Sequence, residues 1–300
     1  MSHRALTSPR SPAILQPTMG EAENQFSLSR IASINRRRAK ANSYQLSLHL
    51  TLPFLIITLI MASLHAGSAK KPFPTQCGPL LQAIWSGDIN AVHSILTASP
   101  DVLNVEDHGS HPINYAIDLG RVEMVRELLS FRPDLEVESE IGGKPLANAC
   151  DRGRLETAKL LVAQGANIMS TNRFGMTPLH KAATSGKRET VLWLLELGAA
   201  IDPLDQDGET PLHHAVHNGN LSTAVALLDH GANVKKKNRK DTPLLHCAVF
   251  SGSLDLVKEL LKRGADINAR ARGYTPRRFA EKCEEKEIAE YLKKQGAKRW

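Results

Sequence analysis

An all-α solenoid of stacked helix hairpins is the fold this sequence predicts, and three observations predict it. The stretch Thr177-Pro178-Leu179-His180 recurs 33 residues later as Thr210-Pro211-Leu212-His213. Variants of it begin at Gly78, His111, Lys144, Thr242 and Thr275, close to the same period, which makes seven copies. Each copy but the last then carries Ala, Gly and an apolar pair at matching offsets, as in Ala182, Gly186 and Leu194-Leu195. Self-similarity at a fixed period of this size marks a stack of repeated units. A hairpin of about thirty residues is too small to bury its own apolar faces, so its neighbours must cover them.

Within the best copy each piece has a local reason. Thr177 suits a helix N-cap, because its hydroxyl can accept from a first-turn N–H that lacks a helical partner. Pro178 falls at the first helical position, where its fixed φ fits and its missing N–H costs nothing. Gly186 is placed for the left-handed turn that ends a short helix. Val191, Leu194 and Leu195 give a second helix one apolar stripe, and Gly198 can stop it in the same way.

Along the chain, residues 1–45 are rich in Ser, Pro, Ala and Arg without an apolar period, and read as a disordered basic tail. Residues 46–66 are different. Thirteen of the nineteen residues Leu46–Leu64 are apolar and none is charged. That length is just enough to span a bilayer, although His49 and Pro53 weaken it. Three readings stay open: a transmembrane or signal-anchor helix, the apolar part of a cleaved targeting segment ending at Gly67-Ser68-Ala69, or sequence upstream of a functional start at Met61. The basic run Arg36-Arg37-Arg38 before the segment would place the repeats outside by the positive-inside rule. Unpaired cysteines favour the cytoplasm, which is the expected location, with membrane association through 46–66 as the alternative.

The copies then depart from the pattern in readable ways. Gly78 and Leu81 replace the cap and the histidine in the first copy, which has one face toward water. Lys144 and Ala147 do so in the third, so its loop is expected to be less well tied. Between the fifth and sixth copies the register shifts. From Gly198 to Thr210 is twelve residues but from Gly231 to Thr242 eleven, and the missing residue returns as an extra Leu before His246. The loop Lys235–Asp241 is therefore expected to be distorted or mobile. Arg277-Arg278 and a charged second helix mark the seventh copy as a cap.

At these residues the chain resembles the ankyrin-repeat family, whose unit reads close to D-x-x-G-x-T-P-L-H-x-A-A-x-x-G followed by an apolar helix and G-A-D-V-N. Asp205-Gln206-Asp207-Gly208-Glu209 fits the family's finger, and the resemblance covers about residues 77–298. It implies antiparallel helix pairs with projecting β-hairpin fingers, a concave face lined by finger tips and first-helix ends, and non-catalytic protein binding. Only about three residues follow the last copy, so the recruiting box of a ligase adaptor is not expected.

Composition sets further bounds. Of 300 residues 42% are hydrophobic, ample for a core, and 5% aromatic, which suits packing through Leu, Val and Ala. The net charge of +7 hides an uneven spread: +7 over residues 1–76, −8 over 77–226 and +8 over 227–300. Cys77, Cys150, Cys247 and Cys283 fall in different copies. Stacked units touch only neighbours and a disulfide needs Cα atoms within about 7 Å, so reduced thiols are expected. No cofactor or metal is expected. No nucleophile elbow, P-loop or dinucleotide glycine pattern occurs, and His213 with His217 has a metal-like spacing but no third ligand. His180, His213 and His246 share one slot, where the resemblance implies a histidine that ties neighbouring loops.

Function then falls to the positions that vary between copies. Carried over from the resemblance, the partner-binding candidates are Trp85, Asp118, Asp151, Arg152, His217 and Phe250 on first helices and Arg173, Phe174 and Met176 on a finger. The plain alternative is that some of them only cover neighbouring loops. Lys235, Lys236, Lys237, Arg239 and Arg272 form a candidate anion-binding cluster for an acidic protein or anionic lipid. The plain alternative is a solvated edge, and the acidic Asp134, Glu136, Glu138 and Glu140 loop argues against one uniform anion-binding face. Nucleic acid is disfavoured, since no recognisable module accompanies the charge. Asn268, in a leucine-spaced acid-Ile-Asn context, resembles a family hydroxylation site, against a plain reading as finger sequence. Asn220-Leu221-Ser222 is a glycosylation-type triplet at a helix start. A monomer that binds a protein partner is expected.

Overall fold

The computed structural model describes residues 78–106, 109–139 and 143–300. The tail 1–45, the apolar segment 46–66, Cys77, Asp107, His108, Glu140 and Ile141 lie outside them. Among the described residues no helix is long and apolar enough to cross a membrane.

The described residues form fourteen α-helices in pairs: α1 (Pro79–Ser86) and α2 (Ile89–Ala98), α3 (Pro112–Leu119) and α4 (Val122–Ser130), α5 (Pro145–Asp151) and α6 (Leu155–Ala163), α7 (Pro178–Thr184) and α8 (Arg188–Glu196), α9 (Pro211–His217) and α10 (Leu221–Asp229), α11 (Leu244–Ser251) and α12 (Leu254–Lys262), α13 (Pro276–Lys282) and α14 (Lys286–Lys294). A 3-10 turn, Pro100–Asn104, follows α2. First helices pack in sequence order as one layer, α1 on α3 through to α11 on α13. Second helices form another, α2 on α4, α4 on α6, α8 on α10, α10 on α12 and α12 on α14.

The caps explain where the helices start. Thr177 and Thr210 each accept from the N–H of the histidine three residues on, and that histidine's ring accepts from the threonine N–H, so both ends of a capping box are closed. The first six helix pairs turn at a left-handed glycine, such as Gly186 with φ 68° and Gly120 with φ 69°, and the seventh at Glu284 with φ 61°. At Gly120 an added Cβ would meet only the movable Arg154 guanidinium of the next unit, so it is the left-handed backbone that favours glycine there.

A single apolar core runs through the stack. Ile84, Ile117, Leu128, Leu161, Leu194, Leu227 and Leu260 are fully buried in it. Ala116, Ala149, Ala182, Ala215 and Ala248 are equally inaccessible. A small residue there lets successive first helices approach closely, which a larger side chain would prevent.

The fingers contain turns rather than strands. Antiparallel pairing among the described residues includes two isolated bridges, Lys237 with Pro243 and Ala271 with Tyr274. Four-residue loops closed by side chains leave too little extended backbone for a ladder. The register shift shows at the helix start and not in the loop. Asp241, with φ 56°, takes the left-handed place that Gly175 and Gly208 take in the two preceding fingers, so the loop expected to be distorted keeps the finger turn, while α11 starts at Leu244 with Pro243 in the cap position and no side-chain cap. Cys150 and Cys247 are buried as free thiols, and Cys283 is half-buried. Burial pushes both buried thiols up, Cys247 to about 12.

Candidate functional site

Three successive fingers are each built on one polar side chain. Asn172 Oδ1 accepts from the N–H of Phe174 at 3.0 Å and of Met176 at 2.9 Å. Asp205 Oδ1 accepts from Asp207 at 2.9 Å and Glu209 at 2.8 Å. Asn238 Oδ1 accepts from Lys240 and Thr242, both at 3.0 Å. These residues are 33 apart, and short Asx side chains favour such turns. Ser139 does the same work one finger earlier, accepting from Gly143 N–H at 3.2 Å.

Neighbouring fingers are joined through their backbones. Gln206 N–H donates to the Phe174 carbonyl at 3.0 Å and Arg239 N–H to the Asp207 carbonyl at 2.9 Å. Gly175, at φ 75°, lies so close to the next finger that a Cβ would sit 3.1 Å from Gln206 N. Arg173, a predicted partner contact, reaches back instead. Its Nη2 donates to the Ser139 carbonyl at 2.6 Å and its Nε to Glu138 at 3.0 Å. Phe174 remains 48% exposed at the turn and Met176 half-buried. Leu204, 54% exposed and not singled out from the sequence, stands directly before Asp205. A leucine in a repeated loop gives no signal in sequence; its exposure comes from the finger geometry.

The predicted first-helix ends form a second row, tied pairwise from unit to unit. Trp85 stacks on Tyr115 at 6.3 Å between ring centroids, and its carbonyl accepts from Arg121 at 2.7 Å. Asp118 pairs with Arg152, and Asp151 accepts from the Ser185 hydroxyl. Burial pushes the Asp118 carboxyl up, and the Arg152 guanidinium only partly opposes it. His217 lies against Phe250 at 5.1 Å. All six predicted positions on this row are half-buried.

The acidic loop is internal wiring. Glu136 accepts from Lys144 Nζ at 3.1 Å, from the Ser170 hydroxyl and from Asn167 N–H at 3.3 Å. Burial alone would raise its carboxyl, but those hydrogen bonds outweigh it and hold it below the usual carboxylate range. At the basic end, Lys237 pairs with Asp241 at 2.9 Å, and Arg277 and Arg278 both meet Glu281. Lys235, Arg239 and Arg272 are exposed, and Lys236 is half-buried. Asn268 Oδ1 accepts from Lys298 N–H at 2.8 Å, and Asn220 donates to the Ala183 and Thr184 carbonyls at 3.0 and 2.9 Å.

Histidines occupy the seam between the two rows. His180 Nδ1 accepts from Thr177, which leaves Nε2–H to donate to the Glu209 carbonyl at 3.1 Å. His246 Nε2 reaches the Tyr274 carbonyl at 2.9 Å. In the second unit Asn114 takes over, donating to the Gly143 carbonyl at 3.3 Å. Burial, then the neighbouring His214, depress both His180 and His213 to about 4. Sequence spacing suggested His213 and His217 as a metal-like pair; the structure instead gathers Asp205, Glu209 and His214, with one ligand-type atom each within 4.8 Å of one another. Hydrogen bonds account for that group. Asp205 Oδ2 meets His214 Nε2 at 2.8 Å, and Glu209 accepts from Asn238 at 2.9 Å.

A family model described as "Ankyrin repeats (3 copies)" matches residues 80–172, 131–205 and 197–271. No curated protein matches the chain. The seventh helix pair, α13 and α14, lies beyond the last match. With matches running over more than half of its length and a fold of stacked helix pairs joined by fingers, the chain belongs to the ankyrin-repeat family.

Proposed function

We propose that the chain is a non-catalytic module that holds a protein partner along its fingers and first-helix ends. The observation that carries this reading is Phe174, an aromatic ring 48% exposed on a finger whose backbone is bonded to the next. Leu204 adds a second exposed apolar side chain one finger on. Aromatic residues and methionine are enriched in interface cores, and a pre-ordered strip loses little entropy on binding. Arg173, Asp118, Arg152 and Asp151 hold neighbouring units together, so in this reading they shape the face, while Phe174, Met176 and Leu204 contact the partner.

The test is affinity capture with the full chain, comparing wild type with Phe174→Ser/Met176→Ser. Loss of the captured partner with unchanged helical CD and melting supports the reading. A fall in stability as large as the loss of binding would sink it. A tether through residues 46–66 is a second reading, favoured by thirteen apolar residues in the nineteen of Leu46–Leu64. Membrane fractionation of the full chain beside a version starting at Met61 tests it, and equal distribution of the two removes the tether.

A further inference from the structure

Successive loops at the outer base of the fingers are buckled by one acceptor per interval. Asn104 Oδ1 accepts from Asp134 N–H at 2.9 Å, Glu136 Oε1 from Asn167 N–H at 3.3 Å, and Met169 Sδ from Ala200 N–H at 3.5 Å. Asp202 Oδ2 accepts from Asn233 N–H at 3.1 Å and Asn268 Oδ1 from Lys298 N–H at 2.8 Å. From Glu136 onward these acceptors recur every 33 residues, and position 235 is the one that breaks the series, because it is Lys235. An ammonium group has three donors and no acceptor. The Asp266 N–H, which stands 31 residues on as Asn167 does from Glu136, has no acceptor among the described residues.

The structure opens at that interval. A cavity of about 280 Å³ lies between the two loops, lined by Lys235, Lys237 and Arg270 together with Pro243, Asp266 and Asn268. Three of these carry positive charge. The acid on its wall, Asp266, is already committed to Asn268 N–H at 2.9 Å, and Lys237 is shared with Asp241. What the site lacks is a second carboxylate, placed to accept from Asp266 N–H.

We propose that this cavity receives a carboxylate side chain, Glu or Asp, from an acidic segment of the protein partner, in the place that Glu136 and Asp202 fill from within the chain. The carboxylate accepts from Asp266 N–H with one oxygen and pairs with Lys235 through the other, as Glu136 does with Asn167 N–H and Lys144. The proposal rests on the protein-binding reading above and names the chemistry at one end of that face.

The experiment uses the full chain and a fluorescein-labelled hexaglutamate peptide, read by anisotropy, with Asp266 amide exchange followed in parallel. Wild type should bind the peptide and slow exchange at Asp266. Lys235→Glu supplies the missing acceptor itself, so it should slow Asp266 exchange without peptide and weaken binding by about tenfold or more, the loss of a charge-assisted hydrogen bond. Lys240→Glu, the same charge change at the exposed tip of the finger, should weaken binding by about threefold or less. Equal losses in the two variants would reduce the effect to general charge attraction and overturn the proposal. So would wild-type binding that leaves Asp266 exchange unchanged, a readout that does not depend on either variant folding. Retention on phosphatidylserine vesicles that Lys235→Glu abolishes, with no hexaglutamate binding, would assign the cavity to lipid headgroups and likewise overturn it. If the cavity fails these tests while partner capture still depends on Phe174 and Met176, the binding face stands without it.

Discussion

Thr242 stands four residues before His246, whereas Thr177 stands three before His180 and Thr210 three before His213. The extra residue takes the Thr242 hydroxyl out of reach of the histidine ring, and His246 Nδ1 is left buried without a partner. One unit earlier His213 is also incompletely paired. The Lys236 backbone lies by it as the Pro203 backbone lies by His180, yet His213 Nε2, unlike His180 Nε2, closes no well-formed hydrogen bond. Two half-satisfied rings thus flank one register shift.

Capping should therefore differ between units that look alike. Thr177→Ala and Thr210→Ala each remove a closed capping box and should cost about 1–2 kcal/mol. Thr242→Ala removes no cap and should stay within about 0.5 kcal/mol. Urea unfolding of the three variants measures this, and a Thr242→Ala cost equal to the other two would contradict the geometry.

Acid should weaken the stack before it protonates most carboxylates. His180 and His213 are held neutral, with their ring pKa depressed from 6.5 to about 4 mainly by burial. In the unfolded chain both rings protonate near pH 6.5, so stability is full above that pH. It is lost as pH falls from about 6.5 to about 4, by up to about 3 kcal/mol for each ring. Urea midpoints between pH 7.5 and 4.5 should fall accordingly, and a flat profile would show that the rings are not insulated from water.

Asp205 ties a finger to the next helix. Its carboxyl resists burial because His214 and the Glu209 N–H hold it below the usual carboxylate range. Asp205→Ala removes acceptors for two N–H groups and for His214, and should cost about 3 kcal/mol. Asp205→Asn keeps the two N–H contacts and should lose less than half of that by the same unfolding assay.

Leu194, fully buried between neighbouring units, gives a plain core test. Leu194→Ala should cost about 2–5 kcal/mol. A smaller loss would mean that the adjoining helices close over the gap.

The helices were legible because their signals are local. Thr177 with Pro178, Gly186 and the Leu194-Leu195 pair each carry their reason within a few residues. The register shift at Leu244-Leu245 was legible for the same cause, as a count. What could not be read was every contact that runs about thirty residues forward. Glu136 to Asn167, Arg173 to Glu138, Asp118 to Arg152 and Asp151 to Ser185 join residues that are neighbours only once the units stack, so four predicted partner contacts turn out to bond within the protein. The Asx turns at Asn172, Asp205 and Asn238 were there to be found at a 33-residue interval, but Asn and Asp are too common in loops to stand out. Exposed Leu204 left no trace, because exposure belongs to the assembled face.

The loop buckles also decide how the stack comes apart. In a linear array each unit is stabilised by itself and by its two junctions. Here two consecutive junctions are impaired: the one that leaves His213 and His246 half-satisfied, and the one that Lys235 leaves unbuckled. Melting should consequently proceed as peeling from the carboxyl end, with amides in α11–α14 exchanging at lower free energy than those in α5–α10. A ligand that closes the Lys235 interval would act as a latch, restoring all-or-none unfolding to an array that otherwise sheds its last two hairpins first.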